Sequence, residues 1–313
     1  MKASRLNPEL RRIFRFVPNP PVTTSAGRSV INGLLKRVKT PSQFDGVSFN
    51  VVMLANGQPA RIFSPPGSSP PDRGKRAALL NIHGGGMVIG KASQDDVHMA
   101  DVARDLGIVV VSIEYRLAPQ SPFPAALDDC FFAWNALLES AVDVGVDPAR
   151  IAIGGQSAGG GLAAALVQRI HDQGGVQPVA QWLFCPMLDD RTAGRRELDA
   201  VRHRLWNNKS NRAGWKAYLG QEPGAADLPP YAAAARRTDL TGLPAAWIGM
   251  GDIELFYGEG RTYAAALRDA GVDCTLDIVP GAPHAFETIA ATTRLATDYK
   301  ARARAWLRNR LGV

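Results

Sequence analysis

Apolar residues along this chain fall in short β-type runs separated by stretches of helical period. The runs cover 49–54, 60–63, 77–82, 108–113, 151–154, 181–185, 245–249 and 275–279, and helical patterns fill 95–106, 124–140, 158–172, 259–270 and 288–311. Such alternation predicts βαβ units, because a crossover helix must cover each face of a parallel sheet. The expected architecture is therefore an α/β fold with a mostly parallel sheet of about eight strands flanked by helices. The segment 189–238, rich in Arg, Trp and Asn, breaks the alternation. It reads as an insertion over the C-terminal edge of the sheet, where open α/β sheets bind ligands. Residues 1–44 hold a break at Val17-Pro18-Asn19-Pro20-Pro21 and an amphipathic run over 25–38. They predict one or two covering helices rather than a free-standing domain, leaving 45–313 as one unit. A turn-rich stretch, 64–74, separates two strands, and no repeat of period 20–50 is visible.

Composition narrows the picture only in places. A chain of 313 residues with 46% hydrophobic and 21% charged residues is ordinary for a globular protein. The net charge of +7 raises nucleic acid as a partner, but the arginines scatter from Arg5 to Arg310 instead of forming a stripe. The densest basic stretch, Lys300 to Arg310 around Trp306 and Leu307, reads as a helix with a solvated face, with membrane-surface contact as the sharper alternative. Cys130, Cys185 and Cys274 are odd in number and widely spaced, so neither a disulfide framework nor a zinc site is expected. No apolar segment followed by a cleavage site opens the chain, and no run of about 18 apolar residues occurs. The expectation is a cytoplasmic protein with no integral membrane association and no nucleic-acid partner.

Three local patterns carry chemistry. Gly155-Gln156-Ser157-Ala158-Gly159-Gly160 follows a strand and opens a small-residue helix. That is the context of a nucleophile elbow, a turn so sharp that only small residues fit two positions either side of the serine, here Gly155 and Gly159. The amide of Ala158 then lies at a helix start, where an oxyanion would form. The bland alternative is a glycine turn that packs closely or binds phosphate. His83-Gly84-Gly85-Gly86 follows the strand over 77–82, and the amides of Gly84 and Gly85 are the expected further oxyanion donors. His83 itself reads as an anchor for this loop. His284, in Pro283-His284-Ala285-Phe286 after the last strand, is the candidate general base, since it completes the chain order serine, acid, histidine. Two carboxylates, Asp252 and Glu254, follow the strand over 245–249, and the residues by themselves do not choose between them.

With these motifs in order, the chain resembles the hormone-sensitive lipase-like family of bacterial esterases within the α/β-hydrolase fold. The resemblance runs from roughly Ala77 to the C-terminus. It rests on His83-Gly84-Gly85-Gly86, on Glu114-Tyr115-Arg116-Leu117-Ala118-Pro119 with Phe123-Pro124-Ala125-Ala126, on the Gly155 to Gly159 elbow, and on His284-Ala285-Phe286. It implies a carboxylic ester hydrolase acting on short to medium acyl chains, with Ser157 as nucleophile and His284 as base. In the family the acid precedes a Tyr-Ala pair by nine residues, which here, before Tyr263-Ala264, is Glu254, with Asp252 in reserve. It also implies a helical cap from residues 1–44, a small-molecule ester as partner, no metal or cofactor, and homodimers as a common state. Amide, carbamate or lactone cleavage on the same residues, or a non-catalytic ligand receptor, are the rival readings. Three positions depart from the family: Gln156 replaces an acidic residue, Gly161 a frequent asparagine, and Ala285 a glycine.

Overall fold

A computed structural model describes residues 5–38, 41, 43–67 and 76–313. Most of the turn-rich stretch 64–74, and residues 1–4, 39, 40 and 42 of the N-terminal segment, therefore lie outside the described residues. Eight strands form one sheet: β1 (Ser48–Met53), β2 (Pro59–Ser64), β3 (Arg76–Ile82), β4 (Val109–Ile113), β5 (Val146–Gln156), β6 (Ala180–Phe184), β7 (Ala245–Gly251) and β8 (Cys274–Val279). Their spatial order is β1-β2-β4-β3-β5-β6-β7-β8. β2 pairs antiparallel with both neighbours, and every other pairing is parallel. β4 and β6 are buried at every position, Ser112 and Gln181 included, whereas β1 lies at an exposed edge.

The helices are α1 (Pro8–Phe14), α2 (Ser25–Arg37), α3 (Asp96–Leu106), α4 (Ala125–Glu139), α5 (Ala158–Gln173), α6 (Arg191–Gly194), α7 (Asn208–Leu219), α8 (Tyr257–Asp269), α9 (Phe286–Ile289) and α10 (Arg294–Leu311). Residues from α4, α5, α7 and α8 build the core on one face of the sheet. Residues from α1, α3 and α10 build the core on the other, around Trp182, Trp247 and Tyr299. The indole N–H of Trp182 donates to the Ala303 carbonyl at 3.0 Å, so its burial leaves no orphan donor.

Most boundaries differ from the sequence reading by a residue or two, and some by more. β5 starts at Val146 instead of 151, with a register shift against β3. The single helix expected over 288–311 is two, because Thr293 caps α10 by accepting from the Ala296 amide at 3.3 Å. The strand expected from 108 begins at Val109. The basic stretch of α10 is largely engaged in surface pairs: Arg302 with Asp277, Arg304 with Asp105, and Arg310 with Asp273. Among the described residues no helix is long and apolar enough to cross a membrane. All three cysteines are free and buried.

Candidate active site

The elbow between β5 and α5 is built by close backbone contact. Ser157 has φ 57° and ψ −119°, a left-handed conformation that a non-glycine residue holds only where its surroundings impose it. Those surroundings leave no room for side chains. A Cβ on Gly159 would sit 2.0 Å from the Ile82 carbonyl oxygen, and one on Gly155 would sit 2.5 Å from the Gly159 backbone. The Ser157 amide donates to the Phe184 carbonyl at 2.8 Å, and its own carbonyl accepts from Met187 at 2.9 Å and Gly161 at 3.0 Å. Glycine at position 161 has a local reason too, since a Cβ there would lie 2.0 Å from the Met187 oxygen.

The loop after β3 lies against this turn. A Cβ on Gly84 would stand 3.4 Å from the Ser157 Cβ, which measures how near that backbone comes to the serine. Gly85 has φ 132°, open only to glycine. Among the described residues, no backbone or side-chain acceptor takes the amide hydrogens of Gly84, Gly85 or Ala158. His83 is fully buried, donates through Nδ1 to the Gly84 carbonyl at 2.8 Å, and stacks on Tyr115 with centroids 4.2 Å apart. The block from Glu114 onward braces this loop from outside. The Tyr115 hydroxyl donates to the His83 carbonyl at 2.9 Å, and the Ala118 amide donates to Met87 at 2.9 Å. Arg116 forms a forked pair with Asp129 of α4, both oxygens at 2.9 Å.

The loop after β8 brings His284 to the serine. The Ser157 hydroxyl donates to His284 Nε2 at 2.9 Å, and His284 Nδ1 donates to Glu254 Oε2 at 2.6 Å. All three residues are at least 94% buried, so the pairings operate out of bulk water. Asp252 does not approach the histidine. Its Oδ1 accepts from the Gly281 amide at 2.7 Å, tying the loop after β7 to the loop that carries His284. On the other side, the Asn7 amide donates to the Gly281 carbonyl at 2.8 Å, so the residue capping α1 helps hold that loop. Ala285 stands with φ 51°, where the family's glycine would be relaxed. A left-handed alanine costs about 1 kcal/mol.

The insertion covers the elbow. Trp215 and Tyr218 of α7 pack with Met87, Ala158 and Met187 around a small apolar void, and Trp206 closes on Gly86, where a Cβ would lie 2.2 Å from its ring. Glu259 of α8 anchors the start of the segment. It accepts from the Leu188 amide at 2.7 Å and from the Thr192 hydroxyl, and burial pushes its carboxyl well above the usual range.

Two features near the site had no signature in the sequence. His203, from the insertion, is buried, and burial pushes it down to about 4, with Arg5 and His284 among the charges acting the same way. A cavity of about 380 Å³ opens beside Gln156 on the α3 and α10 face, lined by Asp95, His98, Trp182, Phe184 and Glu287 among others. Burial pushes Asp95 up to about 6 and His98 down to about 3. A lone histidine among arginines, and carboxyls far apart in the chain, offer no pattern to read. Among the described residues no group of three or more His, Cys, Asp or Glu gathers as a metal site.

A family profile described as alpha/beta hydrolase fold matches residues 79–288. The chain belongs to the α/β-hydrolase family. Curated relatives include the carboxylesterase NlhH of Mycobacterium tuberculosis, 30% identical over 311 residues, covering 93% of this chain and 92% of the relative. The carboxylic ester hydrolase LipN of the same organism is 34% identical over 233 residues, covering 73% of this chain and 60% of LipN. The ethyl acetate hydrolase of Pseudomonas putida is 32% identical over 232 residues, covering 73% of this chain and 71% of that protein. Among solved structures, a bacterial heroin esterase superimposes with TM-score 0.89 at 35% identity, covering 99% of both chains. An esterase of the bacterial hormone-sensitive lipase family superimposes with TM-score 0.79 at 28% identity, covering 98% of this chain and 99% of that one. This α/β hydrolase thus stands among the hormone-sensitive lipase-like bacterial esterases, and is an ester hydrolase by class.

Proposed function

We propose that this α/β hydrolase cleaves carboxylic esters of short to medium acyl chains through an acyl-enzyme formed on Ser157. The observation that carries the reading is the unbroken relay of Ser157 Oγ, His284 and Glu254, at 2.9 and 2.6 Å, on a strained elbow. His284 Nε2 takes the Ser157 proton as Oγ bonds to the ester carbonyl carbon. The carbonyl oxygen becomes an oxyanion facing the free amides of Gly84, Gly85 and Ala158. The bond to the leaving alkoxide then breaks, and the proton on Nε2 passes to it. Water repeats the sequence on the acyl-enzyme and releases the acid. Glu254 holds the tautomer with the proton on Nδ1 and stabilises the imidazolium, while Asp252 acts through the loop by way of Gly281.

The N-terminal segment and the insertion are the proposed cap. α2 leans on the loop after the glycines, where Asn32 accepts from the Gly90 amide at 3.3 Å and donates to the Val88 carbonyl at 3.2 Å. The tight apolar wall made by Met87, Met187, Trp215 and Tyr218 supports a short acyl group. The name of the ethyl acetate hydrolase points the same way.

The test is hydrolysis of p-nitrophenyl esters from acetate to laurate. Turnover should peak among the shorter chains. Ser157→Ala should lose at least about 10⁴-fold in kcat. Glu254→Ala should lose about 10⁴-fold, and Asp252→Ala at least a hundredfold less than that. A folded wild type inactive on every ester, or equal losses at 252 and 254, would overturn the assignment.

A further inference from the structure

Gln156, immediately before the nucleophile, engages a group that the relay does not use. Its side-chain amide donates to Glu287 Oε1 at 2.6 Å and to Thr288 Oγ1 at 2.8 Å. Both acceptors belong to α9, the turn that begins two residues after His284. Gln156 thus reaches across from the elbow to the segment carrying the base, joining positions 131 residues apart.

Glu287 is only 5% exposed. Among the described residues, no lysine or arginine forms an ion pair with its carboxyl. Lys300 is near enough to feel it, but its Nζ donates to the Ala291 carbonyl. Burial pushes Glu287 above the usual carboxyl range. Its own backbone amide, the Gln156 amide and His284 draw it back, and Glu254 pushes it up again. Cys185, just after β6, and Tyr299 on α10 also lie within reach of its charge. Asp95, His98 and Asp101 face it across the 380 Å³ cavity.

The geometry explains the departure at position 156. An acidic residue there, as the family resemblance expects, would set a second carboxyl against the buried one of Glu287, and the pair would favour keeping a proton. A neutral amide of similar shape instead supplies a donor, which draws the carboxyl at 287 back toward its charged form. A negative charge held near His284 favours the imidazolium that forms as Ser157 attacks.

We infer that Gln156 and Glu287 are a positioning pair, in which the Gln156 amide holds the Glu287 carboxylate beside the general base and thereby sets the acid limb of the pH–rate profile. The inference rests on His284 acting as the base in the proposed reaction. Its sign follows from charge. A carboxylate near an imidazole favours the charged ring over the neutral one that the base must be. Removing that charge moves the limb to lower pH.

The experiment measures kcat/KM on p-nitrophenyl acetate from about pH 5 to about pH 9. In parallel, NMR follows the His284 ring protons over the same range, which needs no turnover. Glu287→Gln should move the midpoint of both down by about 0.5–1 unit, with KM changing less than about twofold. Gln156→Met, which keeps the carboxyl but removes its donor, should move both the same way by less. It provides a second route if Glu287→Gln does not fold. The reversed pair, Gln156→Glu with Glu287→Gln, should return the midpoint toward wild type, because an amide and a carboxylate again face each other. Unmoved midpoints in the folded single variants, or a reversed pair no nearer wild type than they are, would overturn the inference. Loss of ester turnover with a shifted NMR midpoint would instead count against the proposed reaction alone.

Discussion

The elbow and the insertion above it meet at the same serine but are held together by opposite means. Around Ser157 the constraints are backbone on backbone. Gly155 and Gly159 face carbonyl oxygens at distances no Cβ could occupy, and Ser157 is bound at its own amide and carbonyl. In 189–238 side chains do the holding. Asp190 is fully buried and accepts from Arg236 at 2.8 and 3.0 Å and from the Gly224 amide at 2.6 Å, while Arg212 pairs with Asp199 at 2.9 Å. Several polar atoms there find no partner, including the indole nitrogens of Trp206 and Trp215. A site made of backbone contacts admits almost no substitution. One made of side-chain pairs and rings can be rebuilt piece by piece, and that suits the cap role proposed for it.

Substitutions on either side should separate these behaviours. The largest effect belongs to Gly159→Ala. Its methyl would meet the Ile82 and His83 carbonyl oxygens at 2.0 and 2.5 Å. Displacing those strand and loop atoms should cost about 3 kcal/mol or more of stability. Activity should fall by more than about 10²-fold in whatever folds. Melting temperature and kcat measure both, and a variant with near-normal values would break the contrast.

Next comes Asp190→Asn, which leaves the Arg236 guanidinium without its counter-charge. Loss of about 3 kcal/mol is expected by chemical denaturation, with kcat reduced less than tenfold because no reacting atom is touched. A large loss of kcat at unchanged stability would show the insertion to be as rigidly coupled to the chemistry as the elbow. Trp206→Phe should do least. Among the described residues the indole N–H it removes has no partner, so the change is one of volume over Gly86. The ranking of p-nitrophenyl esters by chain length should shift, with the best kcat/KM staying within about tenfold of wild type. An unchanged ranking would remove Trp206 from the pocket's specificity surface.

Much of this site was legible along the chain because its demands are local. A sharp turn needs small neighbours, and the glycines at 155 and 159 record that need next to the serine. The glycines after His83 do the same for the loop after β3. The sheet was likewise visible, since its central strands, buried on both faces, are mostly apolar. Helix ends were less so. The stop between α9 and α10 depends on one threonine capping one amide, in a stretch whose hydrophobic period continues.

The chain order of serine, acid and histidine, and the small residues about the elbow, were determined by the sequence alone, because sterics between near neighbours leave little choice of residue. Which of two carboxylates meets His284 was left open by the residues themselves; the family resemblance pointed to Glu254, and the tertiary structure brings that one to the imidazole. Asp252 and Glu254 follow the same strand two residues apart, yet one caps the Gly281 amide and the other reaches the imidazole. Only the tertiary structure sets the amide of Gln156 on Glu287, and His203 within reach of the charge on His284. These pairings join residues far apart in the chain, and side chains of one type can serve either end. Their identities therefore emerge from where the packed sheet delivers each loop, not from any pattern of neighbours.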